Sequence, residues 1–208
     1  MRARSAAFVF AAVVKRTRRM MATVSPTTTE VFRKDYAPLP YSIDSVDLSF
    51  NIVDESKATV TSKLKFSPQG GGELRLDGED LVLKSVKVDG EAYEAYEEID
   101  GCLSLANPPS GPFELETVVE LDPKANTQLS GLYASSGNLC TQCEAEGFRR
   151  ITYFYDRPDM MSTYKVRVEA EKEAFPVLLS NGNEVARGES GTRHWAEFVD
   201  PFKKPSYL

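Results

Sequence analysis

The sequence predicts an all-β protein, an antiparallel β-sandwich or saddle of roughly eight to twelve short strands behind an unstructured leader. Three observations predict it. Apolar residues recur with period two from Tyr41 onward, turn signals separate the alternating runs, and no ten-residue segment carries convincing helical periodicity.

In DSVDLSFNI, Val46, Leu48, Phe50 and Ile52 face one way, and Ser45, Asp47, Ser49 and Asn51 the other. TVTSKLKF sets Val60, Leu64 and Phe66 against Thr59, Thr61, Lys63 and Lys65. FELETVVEL sets Phe113, Leu115, Thr117, Val119 and Leu121 against Glu114, Glu116 and Glu120, and YKVRVEA sets Tyr164, Val166 and Val168 against Lys165, Arg167 and Glu169. One polar and one apolar face per run is the pattern of half-buried antiparallel strands. SPQGGGE, LDGED, VDGE, ANPPSGP and SNGNE supply the breaks. Asp89-Gly90 and Asn181-Gly182 are expected to make tight hairpin turns, because both pairs tolerate positive φ. A short helical turn is expected around Pro158–Thr163, with Asp156 as its cap. Residues 122–149 show little alternation and read as a long loop, which in a compact β domain is usually either functional or disordered, and its aromatic and cysteine content favours the first.

The chain's 208 residues suffice for one sizeable core. A net charge of −6 argues against nucleic acid as the main partner, since phosphate neutralisation needs a basic face. Three cysteines are too few for a disulfide scaffold and point to a reducing compartment. No apolar run approaches the roughly 18–20 residues that span a bilayer.

Charge is uneven along the chain. From Met1 to Thr29 there is no acidic residue, while Arg2, Arg4, Lys15, Arg16, Arg18 and Arg19 flank the apolar run AAFVFAAVV. Residues 1–31 therefore read as a transit peptide and linker directing the protein to a chloroplast or mitochondrion, with the β domain over 32–208. The basic cluster KRTRR is wrong for a secretory cleavage site. A start at Met20 or Met21 would instead leave the protein cytoplasmic.

The chemistry-bearing residues cluster at CTQCEAEGFR, residues 140–149. A redox pair needs a strand-to-helix turn whose dipole lowers the thiol pKa. Here Glu144 and Glu146 follow and no helix signal does, so a redox role is disfavoured. A zinc site would have to draw on Cys102, Cys140, Cys143 and the single His194, with no second pair at motif spacing. One histidine also excludes H-E-x-x-H, and G-x-S-x-G and phosphate-binding glycine motifs are absent from the sequence. Glu144 and Glu146 are two apart and, in an extended segment, point the same way with Gln142. Such a group is either a solvated acidic loop or a binder of a cation such as an ammonium group, and residue physics alone does not rank the two.

QCEAEGFRRITYFYDRPD (142–159) resembles the segment preceding the catalytic domain in zinc aminopeptidases of the aminopeptidase N (alanyl aminopeptidase) type, and is most similar to their bacterial and plastid branch. KDYAPLPYSIDSVDLSF, LRLDGEDLVLKSVKVDG, FPVLLSNGNEVARGE and RHWAEFVDPFKKPSYL agree, so the resemblance runs over residues 32–208 in order. It implies an N-terminal β-saddle domain of an enzyme that removes residues from peptide N-termini with a zinc-activated water. The family's zinc ligands and its G-A-M-E-N motif lie in the next domain and are absent from this chain. The resemblance therefore implies no catalytic residue and no bound zinc here. It implies that Glu144 binds the substrate α-ammonium group and that Gln142 lines the first side-chain pocket. The implied partners are a peptide N-terminus and a downstream or separate catalytic domain. A standalone β-sandwich interaction module without peptidase chemistry is the rival reading.

Overall fold

Alternating sequence runs become strands because each must bury one face, and here they bury it together. The computed structural model describes residues 32–99 and 101–208; the leader and the alternative start sites lie outside the described residues. Residues up to Ala37 form a separate unit, whose described part holds one 3-10 turn, Arg33–Asp35. All strands belong to the unit Pro38–Leu208.

In chain order these are β1 (Tyr41–Asp54), β2 (Lys57–Pro68), β3 (Leu74–Asp77), β4 (Val82–Val88), β5 (Glu91–Ala92), β6 (Tyr96–Ile99) and β7 (Cys102–Leu105). There follow β8 (Phe113–Leu121), β9 (Gly131–Ser135), β10 (Asn138–Gln142), β11 (Ser162–Glu171), β12 (Asn183–Ser190) and β13 (Arg193–Lys204). The expected all-β architecture is therefore present, with one strand more than the upper expectation among the described residues.

Eight strands form one sheet in the order β12-β13-β11-β1-β2-β8-β4-β5. Its register lines up the alternating apolar residues in rows across β1, β2 and β8. Val46, Leu64 and Leu115 make one row, and Phe50, Val60 and Val119 another. Phe66 stacks on Phe113 at 5.1 Å, and Tyr41 meets both rings edge-on at 6.3 and 6.0 Å. A three-stranded sheet, β3-β7-β6, supplies Leu74, Leu76, Leu103 and Leu105, all fully buried in the same core. The opposite face of the large sheet is charged: Glu116 lies between Lys63 at 3.2 Å and Lys87 at 2.9 Å. A hydrogen bond from Lys87 is the main reason its carboxyl is held below the usual range, against the opposing effect of burial.

Four local expectations change. The β1–β11 pair is parallel, Ser45 facing Thr163 through to Asn51 facing Glu169. Its two strands lie far apart in sequence, and a parallel partner requires such a long connection. Asp89-Gly90 does turn β4 into β5, with φ of 51° and 86°. Asn181-Gly182 instead lies in the irregular stretch before β12. Its glycine is required by a φ of +85° and by the Val199 carbonyl oxygen, 2.4 Å from where a Cβ would stand. The expected helical turn at Pro158–Thr163 is a single bend, closed by the Met160 N–H donating to the Arg157 carbonyl at 3.2 Å, before β11 begins. Asp156 does not cap it, because its carboxylate is engaged elsewhere.

Candidate functional site

The segment read as a long loop folds back on itself. β9 and β10 pair as a hairpin, with Cys140 opposite Tyr133 and Gln142 opposite Gly131. Asn126 donates from its side-chain amide to the carbonyls of Ser130 and Leu132, at 2.8 Å each, and so fastens the approach to β9. These residues are small and mixed, and the hairpin forms its own two-stranded sheet, so no amphipathic period marks it in the sequence.

β10 ends at Gln142 and the chain turns at once. The Gly147 N–H donates to the Cys143 carbonyl at 2.9 Å, and a 3-10 turn, η2 (Phe148–Arg150), follows. Phe148 is buried and packs on Phe154 at 4.8 Å, which roots the turn in the core. Gln142 and Glu144 are thrown out to solvent on either side of the half-buried Cys143. Because residues 144–147 turn, the expected extended arrangement of the two glutamates does not occur. Glu146 pairs with Arg149 at 3.7 Å, whereas the Glu144 carboxylate has no ion pair among the described residues.

Beside this turn runs an open groove of about 600 Å³ with a mixed apolar and polar lining. Leu48 and Phe50 of β1 and Val166 and Val168 of β11 line it, Phe175 and Leu179 belong to the stretch before β12 that also lines it, and Gln142 and Glu144 stand among its lining residues. The groove explains why Tyr164, Val166 and Val168 are only half buried although they lie on the apolar side of their strand. Val177 and Leu179 remain 69% and 79% exposed beside it.

The cysteines and the histidine are not assembled into a metal site. Cys102 lies in the three-stranded sheet and Cys140 on the hairpin, while His194 is on β13 with its Nε2 2.7 Å from the Phe175 carbonyl. Among the described residues no group of three or more His, Cys, Asp or Glu side chains is placed to hold a metal. Burial, reinforced by the negative charge of Asp156, pushes the Cys143 thiol up to about 12, the reverse of what a redox nucleophile needs.

What the sequence reading missed is the support beneath the turn. Asp156 is 2% exposed and receives hydrogen bonds from Arg149 and from Ser206. Burial opposes the Arg149 charge, but Asp77, Asp156 and Glu146 together outweigh it and hold the guanidinium above its ordinary value. Nothing in the spacing of these residues announces that they meet.

The sequence profile of the peptidase M1 N-terminal domain matches residues 37–208. The chain belongs to the peptidase M1 N-terminal domain family. Aminopeptidase N of Escherichia coli is 46% identical over 180 residues, which cover 85% of this chain and 20% of that protein. Aminopeptidase N of Caulobacter vibrioides is 49% identical over 179 residues, with 84% and 20% covered. The chain thus spans about one fifth of the length of these curated relatives. Among solved structures, the aminopeptidase A of Legionella pneumophila in complex with aspartic acid superposes with a TM-score of 0.78 at 33% identity, covering 84% of this chain and 21% of that one. The M1 zinc metallopeptidase of Deinococcus radiodurans superposes at 0.71 with 16% identity, covering 81% and 41%, a likeness of fold. The M1 family is zinc-dependent, and among the described residues of this N-terminal domain no cluster of three or more His, Cys, Asp or Glu side chains is placed to hold that metal.

Proposed function

We propose that this M1 N-terminal domain serves a zinc aminopeptidase by presenting Gln142 and Glu144 to the N-terminus of a peptide held in an adjoining catalytic domain. The observation that carries the reading is Glu144 itself. It is an exposed carboxylate without an ion pair among the described residues, on a turn rooted in the core beside an open groove.

The chemistry follows from what an exopeptidase must recognise. A free N-terminus is an ammonium group, while an internal residue offers a neutral amide. A carboxylate that loses part of its water on binding separates the two through a charge-assisted hydrogen bond of about 1.5–3 kcal/mol. Fixing the amine also fixes the first peptide carbonyl at a set distance from it, so recognition positions the bond to be cut. Glu144 exchanges no proton in this role. Gln142, one side chain away across Cys143, would meet the first side chain through an amide that can both donate and accept. The groove and the exposed Val177 and Leu179 would receive the catalytic domain.

The test is to place residues 37–208 in the position of the matched segment of the Escherichia coli aminopeptidase N. The hybrid is expected to cleave peptides with a free α-amine and to leave N-acetylated ones intact. A folded, zinc-loaded hybrid without that activity would overturn the reading.

A further inference from the structure

We propose that Asp156 is a positioning residue, whose two carboxylate oxygens tie the turn bearing Glu144 and the segment Pro205–Leu208 to one buried point, so that a change at either is transmitted to the other. The consequence for amine recognition rests on the function proposed above; the coupling itself does not.

The two oxygens serve different parts of the chain. Oδ2 accepts from the Arg149 backbone N–H at 3.1 Å and from Arg149 Nε at 3.2 Å. Oδ1 accepts from the Ser206 hydroxyl at 2.7 Å, across fifty residues of sequence. Asp156 and Ser206 are only 2% and 6% exposed, so water cannot readily replace either donor. The arrangement is braced further. Arg149 Nη2 donates to the Asp156 carbonyl at 3.3 Å, and the Asp156 N–H donates to Asp77 Oδ2 at 3.3 Å. The same guanidinium lies 3.7 Å from Glu146, two residues beyond Glu144.

A buried carboxylate with every oxygen assigned behaves as a unit. Loss of one donor leaves charge uncompensated, and the group must turn or recruit another donor, which disturbs the partner still bound. Here the partner still bound is Arg149, at the base of the turn. Ser206 and Glu144 both line the same groove, so the two ends of the link open on one surface. A catalytic domain that moved Pro205–Leu208 would therefore reset Glu144 without touching it.

The experiment is amide hydrogen exchange on the full chain, comparing the native protein with Ser206→Ala, Ser206→Thr and Asp156→Asn. Ser206→Ala is expected to speed exchange at least tenfold over residues 143–150 as well as 205–208, with the β1, β2 and β8 amides unchanged. Ser206→Thr keeps the hydroxyl and is expected to restore protection in both places. Faster exchange confined to 205–208, a turn still loose in Ser206→Thr, or loosening spread equally over the core would each overturn the coupling. Asp156→Asn is expected to free both segments; should it fail to fold, the serine variants still decide. In the hybrid enzyme, Ser206→Ala is expected to raise KM for free-amine substrates with kcat nearly unchanged, and Ser206→Thr to reverse the change. Unchanged kinetics in Glu144→Ala would remove the amine reading and leave the exchange result standing, so the two failures are distinguishable.

Discussion

Gly147 closes against the Gln142 carbonyl oxygen so tightly that a Cβ on it would lie 2.5 Å from that oxygen. It would also lie 2.9 Å from the Cys143 Cα, so two of its nearest neighbours are backbone and cannot swing aside. Its φ of −89° is open to any residue, so the requirement for glycine is one of space. Gly147→Ala is expected to cost about 1–3 kcal/mol through overpacking. At about 2–4 °C per kcal/mol for a chain of this size, the melting temperature should fall by several degrees. Because the displaced atoms belong to Gln142 and Cys143, the hybrid enzyme carrying Gly147→Ala should also lose kcat/KM. A thermal melt and one kinetic series check both.

Trp195 is held between two unlike partners. Arg167 places its guanidinium 3.9 Å from the ring centroid, and Gly188 lies on the ring so closely that a Cβ would come within 2.6 Å of Cζ2. Gly188→Val should push the indole out of this position. Trp195 is the only tryptophan in the chain, so emission reports on it alone. A red-shifted spectrum and a lowered melting temperature are expected; an unchanged spectrum would show that the edge strand β12 yields instead.

Cys143 should be the slow thiol. Its pKa is raised, to about 12, so the fold favours the protonated form. Its contribution to stability is complete below the unfolded value of about 8.5 and is lost as pH rises from there toward the folded value. In the native protein at pH 8.5, iodoacetamide should label Cys143 much more slowly than after unfolding in urea. Peptide mass mapping reads the ratio, and equal rates would contradict the burial described here.

The purified chain is expected to carry far less than one zinc per molecule by elemental analysis, because Cys102 on β7, Cys140 on β10, Cys143 beyond its end and His194 on β13 are not gathered into one cluster among the described residues. Stoichiometric zinc would show that these donors come together after all.

Much of this architecture was legible because β1, β2 and β8 bury one face each, and burial of one face is what period two records. The β9–β10 hairpin escaped because it pairs in its own two-stranded sheet and alternates no large apolar residues. The parallel entry of β11 beside β1 also escaped, since alternation is indifferent to strand direction. Only family resemblance singles out Gln142 and Glu144, and residue types alone leave Glu144 level with a solvated acidic loop. The structure distinguishes Glu144 from Glu146 by giving only the second an arginine. Asp156 was misread as a helix cap because a carboxylate before proline looks the same whether it serves the next turn or a donor fifty residues away.

The most direct test of Glu144 is the kinetics of Glu144→Ala in the hybrid enzyme on a free-amine peptide. Loss of one charge-assisted hydrogen bond of about 1.5–3 kcal/mol predicts a fall in kcat/KM of roughly 10- to 150-fold, with zinc content unchanged. A kcat/KM equal to that of the unsubstituted hybrid would contradict the account.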